Sequence, residues 1–402
     1  MRLQIFIPGI LMVIIFASPS CRKAEIQPAK TLECQLEDAS VYQVNPKSKG
    51  FTEILDAYVA KGIPGIVLLV KDDNGFYIGS AGMADIDKGI KMQPCHISKI
   101  ASITKFMLGV AILRLQEKEV LSLDDPISKY LTETTLKHIK NGEEAITIRN
   151  LMNHTSGFYD VIEDQGFYLQ VLNDPAKHWE AEDLLNYVYD EPAMFPFAPE
   201  DTAAYSNTNY VLLSMIIEKA TGKSHSRILH EEVIDELGLQ DTYYFYHDEL
   251  PEGRVAQGYY DLYNNGTIVN LSNWNTGSGN GYGGIYSTVW DMYLFADALF
   301  VKHTLLNEIS LGQMLQFHHT VESRKHLGVA CFKDFIDIGE PRDYAWGHRG
   351  RDLSYSADLF YFPNHNAIMA LMVNYGTDGD SFLKPVFLEM RDEIAKLIVA
   401  PE

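Results

Sequence analysis

Ser102 and Lys105 place a hydroxyl and an amine three residues apart, immediately ahead of a long apolar segment. In a helix this spacing puts both side chains on one face, where an amine can take the hydroxyl proton and ready the oxygen to attack a carbonyl. Ser-x-x-Lys also occurs at Ser20 to Lys23 and at Ser381 to Lys384, so spacing alone does not single it out. Its surroundings do. After Lys105 the apolar residues Phe106, Met107, Val110, Ile112, Leu113 and Leu115 recur at intervals of three to four, which predicts a largely buried helix ending near Glu119. Ser102 would then occupy the first turn. There the unpaired backbone N–H groups and the positive end of the helix dipole favour a developing oxyanion.

Two further polar groups stand downstream. Tyr205-Ser206-Asn207 precedes a second apolar helix, and His348-Arg349-Gly350 precedes a pair of strands. Tyr263-Asn264-Asn265 and His326-Leu327-Gly328 match the same patterns, so order and neighbouring elements decide between them. Lys105 and Tyr205 are both candidates to accept the Ser102 proton. A lysine does so when desolvation or a nearby cation depresses its pKa, and a tyrosine when positive charge stabilises its phenolate. His154, Thr155, Ser156 and Gly157 form a polar group that reads as a turn with capping hydroxyls. Gly283 and Gly284 read as a tight backbone turn.

With Ser102, Tyr205 and His348 in this order, the chain resembles the serine β-lactamase and penicillin-recognising hydrolase superfamily. It looks most like class C β-lactamases, Streptomyces-type D-alanyl-D-alanine carboxypeptidases and related esterases. Segments 148–157, 237–242 and 283–288 carry the same likeness, which extends over roughly residues 50–398. The resemblance implies an α+β fold, an antiparallel sheet flanked by helices beside a helical lobe, with the active site between them. It implies an exported serine hydrolase that forms a covalent acyl-enzyme on an amide or ester, as a D-alanyl-D-alanine carboxypeptidase or esterase does. A β-lactamase, a penicillin-binding sensor and an inactive scaffold are the alternatives. Ser102 would be the nucleophile, Lys105 and Tyr205 would share the base role, Asn207 would orient Lys105 and the substrate amide, and His348 would border the site. The backbone N–H groups of Ser102 and of Arg351, after Gly350, would hold the oxyanion. A small molecule or peptide is the implied substrate, with no cofactor.

Departures from the family pattern bear on substrate. His348-Arg349-Gly350 stands where many β-lactamases carry Lys-Thr-Gly, which favours peptidase or esterase activity over β-lactam turnover. Pro199 is followed by Glu200-Asp201 where Pro-Gly is common. Arg349 and Arg351 could hold a substrate carboxylate bidentately, or could simply occupy a solvent-facing strand edge.

Composition sets the frame. The 402 residues are 46% hydrophobic and 11% aromatic, enough for a sizeable core. A net charge of -21 and the lack of a Lys/Arg run argue against nucleic acid. Residues 1–20 read as a secretory signal: Arg2, an apolar run over 3–17, then Ser18 and Ser20. The run is short for a membrane-spanning helix. Cys21 follows directly, where lipidation would tether the protein to a membrane and ordinary cleavage would release it; the protein would be periplasmic or a membrane-anchored lipoprotein. Cys34, Cys95 and Cys331 cannot all pair with one another, so buried unpaired thiols are expected. No metal-binding spacing is present, and the adjacent His318 and His319 point to different faces.

Residues 21–50 read as a tether and 51–400 as the hydrolase domain, with about 125–290 forming a mostly helical lobe. A helix over 51–60 leads into a hairpin of 65–70 and 76–81 around Asp72-Asp73-Asn74-Gly75. A second hairpin, 354–362 with 367–374, precedes a terminal helix over 382–399. Strands at both ends of the chain predict one shared sheet.

Overall fold

The structure is a computed structural model that describes residues 44–197, 202–320 and 325–401. The secretory signal, Cys21, most of the tether, Pro199 and Glu200-Asp201 lie outside the described residues.

Two apolar runs build the centre of the molecule. Strand β1 (Gly65–Asp72) and strand β9 (Ala367–Val373) are buried along nearly their whole length and pair antiparallel, Leu68 opposite Leu371. The strands between them in the chain that join the same sheet are β2 (Gly75–Asp85), β3 (Ile90–Lys91), β4 (His318–His319), β5 (His326–Leu327), β6 (Phe332–Asp334), β7 (Ala345–Arg351) and β8 (Ser356–Phe362). Together these nine strands form one sheet in the order β3-β2-β1-β9-β8-β7-β6-β5-β4. The N- and C-terminal hairpins thus meet at β1 and β9, as the sequence predicts.

Side-chain alternation explains why β1 and β9 are apolar on both faces. Ile66, Leu68 and Val70 face helix α1 (Ser48–Ala60) and the C-terminal helix, through Phe51, Leu55, Phe387 and Ile394. Val67 and Leu69 face the opposite way, into a cluster with helix α2 (Ile103–Glu117). Each fully buried Leu, Ile or Phe contributes about 1.5–3 kcal/mol, so a sheet covered on both faces makes a firm base for its edge strands. Helix α2 is buried around nearly its whole circumference from Ile103 to Leu113. It lies in the core rather than on the surface.

The inserted lobe divides in two. Helices, among them a 14-residue one over Thr208–Thr221, run as far as Leu237, after which 238–288 is loop with strands of two or three residues. Glycine, asparagine and aspartate interrupt every periodic run there, which is why helices stop. Two of these strands, Tyr243–Tyr244 and Ile285–Ser287, form a small sheet with Ser98–Lys99. The Ser287 pairing with Ser98 brings the lobe against the start of α2. Cys331 is buried and free, whereas Cys95 is disulfide-bonded. Cys331 is thus the buried unpaired thiol expected, while Cys95 corrects that expectation, because counting cysteines does not show which ones the fold brings together. Among the described residues no helix is long and apolar enough to cross a membrane.

Candidate active site

Ser102 caps the N-terminus of α2, yet its side chain makes no capping hydrogen bond. The hydroxyl is therefore left for Lys105, whose Nζ lies 3.0 Å from Ser102 Oγ. Ala101, just before, has φ +49° in the left-handed region, a conformation that costs a non-glycine residue roughly 1–2 kcal/mol. Its neighbours hold it there. Ile100 N–H donates to Ile285 O at 2.8 Å, and Lys99 Nζ pairs with Asp352 at 2.6 Å with both side chains buried. Gly350 of β7 closes the other side, where a Cβ would lie 2.0 Å from Ile100 O. Only glycine lets β7 approach the nucleophile's backbone this closely.

Lys105 is fully buried. Besides Ser102, its amine donates to Asn207 Oδ1 at 2.7 Å and to the Tyr282 carbonyl at 2.5 Å. Those two oxygens can only accept, whereas Ser102 Oγ can donate or accept. A neutral Lys105 thus keeps both carbonyl bonds and turns its lone pair on the Ser102 proton. Burial lowers the Lys105 pKa, opposed by the charge of Asp160. Asp160 accepts from the Asn207 backbone N–H and from Asn207 Nδ2, each at 3.0 Å.

Tyr205 projects its ring 5.0 Å from Lys105 Nζ and stacks on His154 with centroids 4.4 Å apart. Its hydroxyl is buried without a hydrogen-bond partner. Burial raises its pKa well above the usual phenol value, and the nearby Ser102 hydroxyl acts in the opposite sense. The resting tyrosine is therefore protonated. His348 stacks on Phe332 at 4.1 Å and donates from Nδ1 to Arg349 O at 2.6 Å. Burial and the Lys105 charge push its pKa down, so it is neutral, and its Nε2 is buried without a partner.

Strand β7 pairs with β6 only as far as Gly347 and with β8 from Trp346 to Arg351. Its edge from His348 to Arg351 is left without a strand partner among the described residues. That edge and Ser102 border the same cavity of about 560 Å³, with Asn207, Tyr205 and Asp160 on its wall. Phe167, Tyr168, Phe332 and Leu388 give the cavity an apolar component.

The structure thus gathers Ser102, Lys105, Tyr205, Asn207 and His348, with Gly350 and Arg351 on the adjoining edge. Arg349 and Arg351 both line this cavity, and each is also held by a carboxylate of the sheet. Arg349 donates to Asp334 through Nε and Nη2, and Arg351 to Asp358 at 2.9 Å and to the Gly350 and Ala357 carbonyls. Arg391 joins both carboxylates from beneath. These guanidiniums tie the sheet together from the cavity wall, through acids that a strand sequence does not reveal. Asp160, Tyr282 and Phe332 are contributors that pattern reading misses. Asp160 follows Gly157 by three residues with no chemical partner nearby in sequence, and the Tyr282 carbonyl has no side-chain signature. His154 accepts from Ser206 N–H and Asn209 Nδ2, as befits a structural turn, and also supports Tyr205.

A serine, a buried lysine and a tyrosine on one cavity wall, between an antiparallel sheet and a helical lobe, define a serine hydrolase of the β-lactamase-related type. The Beta-lactamase family profile matches residues 51–386, and the chain belongs to that family. The D-alanyl-D-alanine-carboxypeptidase/endopeptidase AmpH of Escherichia coli (strain K12) is 28% identical over 267 residues, 64% of this chain and 65% of AmpH. A penicillin-binding protein of Bacillus subtilis (strain 168) is 29% identical over 202 residues, 50% of this chain and 42% of its own. The chain thus spans less than two thirds of these relatives' length. Among solved structures, a D-stereospecific amidohydrolase from Streptomyces sp. matches with TM-score 0.74 and 26% identity, covering 86% of this chain and 98% of its own. The D-amino acid amidase from Ochrobactrum anthropi SV3 matches with TM-score 0.76 and 25% identity, covering 87% and 97%.

Proposed function

We propose that this protein hydrolyses an amide or ester next to a D-amino acid through an acyl-enzyme on Ser102, as a carboxypeptidase-like peptidase, amidase or esterase. The observation that carries this reading is the Lys105 amine, 3.0 Å from Ser102 Oγ with its other two bonds committed to carbonyl-type oxygens. The Ser102 proton passes to Lys105 as Oγ bonds to the substrate carbonyl carbon. The carbonyl oxygen, now charged, lies against the backbone N–H groups of Ser102 and Arg351. Collapse of the tetrahedral adduct breaks the bond to the leaving group, which takes a proton from Tyr205; Lys105 returns its proton to Tyr205. Water then repeats the sequence on the ester and frees Ser102. Protonated Tyr205 and depressed Lys105 suit these roles. The D-configuration rests on the relatives' names alone.

Arg349 and Arg351 line the cavity while bonding Asp334 and Asp358, so a substrate carboxylate there would have to share guanidiniums already paired with the sheet. Export is part of the same proposal, supported by the leader at residues 1–20 and by the disulfide at Cys95. The deciding experiment is intact mass after exposure to benzylpenicillin and to D-alanine p-nitroanilide, for wild type and Ser102→Ala. Turnover of the anilide by wild type alone supports the reading. A penicillin adduct that persists without anilide turnover would point instead to a sensor, and rapid loss of penicillin to a β-lactamase. Equal turnover by both proteins would remove Ser102 as nucleophile.

A further inference from the structure

Asn207 can serve Lys105 only in one orientation. The two ends of its amide have nearly the same shape, but one accepts and the other donates. In the structure the oxygen faces the Lys105 amine at 2.7 Å. The other end is claimed by Asp160, whose Oδ2 accepts from Asn207 Nδ2 at 3.0 Å while Oδ1 accepts the Asn207 backbone N–H at 3.0 Å. Ile162 N–H is the third donor to the carboxylate, reaching Oδ1 at 3.3 Å. Asp160 is 4% exposed and Asn207 is 4% exposed, so neither can exchange these bonds for water at little cost. A flipped amide would set its oxygen against a carboxylate and its NH2 against the lysine.

We propose that Asp160 is a positioning residue of this site, locking the Asn207 amide so that its oxygen, and not its NH2, faces Lys105. The inference rests on the serine hydrolase reading above. Burial pushes the Asp160 carboxyl up to about 7 against its hydrogen bonds and the Lys105 charge, and in its ionised form it acts on Lys105 in turn, opposing the effect of burial there. Asp352, itself paired with Lys99, and Asp378 act in the same direction. His154 and His348, both neutralised by burial, face Lys105 from the lobe and from β7, and Lys325 adds positive charge near both histidines. Tyr205 completes the surroundings.

The test reads the rate at which a fluorophosphonate labels Ser102, followed by intact mass between about pH 5 and 10, because labelling needs the activated hydroxyl but no particular substrate. Asp160→Asn should lower the plateau rate about 100-fold, since the new NH2 opposes the Asn207 NH2. It should also move the acid limb down by about one pH unit, since removing the carboxylate lets Lys105 lose its proton more readily. The exchange variant Asp160→Asn with Asn207→Asp restores donor facing acceptor and brings the charge onto Lys105. It should regain part of the plateau and move the acid limb above that of wild type. A merely structural Asp160 would change the melting temperature and leave both limbs in place, and that result overturns the inference, as would wild-type labelling by Asp160→Asn. If Asp160→Asn does not fold, the exchange variant decides: a raised limb supports the inference, while an unshifted limb or an unfolded protein overturns it. Wild type that labels but hydrolyses no amide or ester would sink the hydrolase reading and leave the inference to the pH limbs. Wild type that labels at no pH would overturn both.

Discussion

Replacing Arg351 with alanine separates a structural arginine from a substrate-binding one. Nη1 bonds the Gly350 and Ala357 carbonyls at 2.7 and 2.6 Å, Nη2 bonds Asp358 at 2.9 Å, and the guanidinium lies 4.5 Å from the Phe387 ring. Asp358 has no exposed surface, so the variant strips a buried carboxylate of one cation. Removing one partner of a buried pair typically costs about 3–5 kcal/mol. Arg391 still donates to Asp358 at 2.6 Å, which places the expected loss nearer 2–3 kcal/mol. Unfolding entropy of about 2.1 cal/mol/K per residue gives roughly 0.7 kcal/mol/K for some 350 ordered residues. The melting temperature should therefore fall by about 3–4 °C. KM for D-alanyl-D-alanine and for D-alanine p-nitroanilide should each change by less than about threefold, because the donors of the guanidinium go to Asp358 and to the Gly350 and Ala357 carbonyls. Scanning calorimetry and initial rates with the two substrates provide the comparison. The reasoning fails if KM rises about tenfold, roughly 1.4 kcal/mol, for the carboxylate-bearing dipeptide alone while the melting temperature holds.

Tyr205→Phe should reduce kcat about 100-fold by removing the proton relay to the leaving group, with the melting temperature unchanged or slightly higher. The deleted hydroxyl is buried without a partner, so losing it forfeits no hydrogen bond; a melting temperature several degrees lower would show a structural bond instead. For the leader, Cys21→Ser should shift the protein from the membrane fraction to the soluble periplasmic fraction. Wild type that is already soluble would rule out the lipid anchor.

The central elements are legible in the sequence because their burial is periodic. The apolar returns after Lys105 give α2, observed as Ile103–Glu117, and the paired apolar runs give β1 with β2 and β8 with β9. The Ser102 and Lys105 contact follows from helical spacing. What is not legible depends on partners distant in sequence. Asp334 and Asp358 lie 15 and 7 residues from Arg349 and Arg351, yet only the sheet and Arg391 bring them together. Asp160 and Asn207 are 47 residues apart, and no local rule pairs them.

The cost of this arrangement falls on the site itself. Ala101 is held at positive φ, Lys105 is buried where its charge is disfavoured, and Tyr205 Oη, His348 Nε2 and Ser278 Oγ are buried without partners. Tyr205 and Ser278 line the cavity with Ser102. An unmet buried polar atom costs about 1–3 kcal/mol, and three of the six among the described residues lie around this one nucleophile. Of these, Tyr205 and Ser278 face the cavity, where the donors and acceptors of a bound substrate would meet them. Binding then recovers hydrogen bonds that folding leaves unmade, and the rigid core around α2 and β7 keeps those groups from relaxing toward one another before substrate arrives.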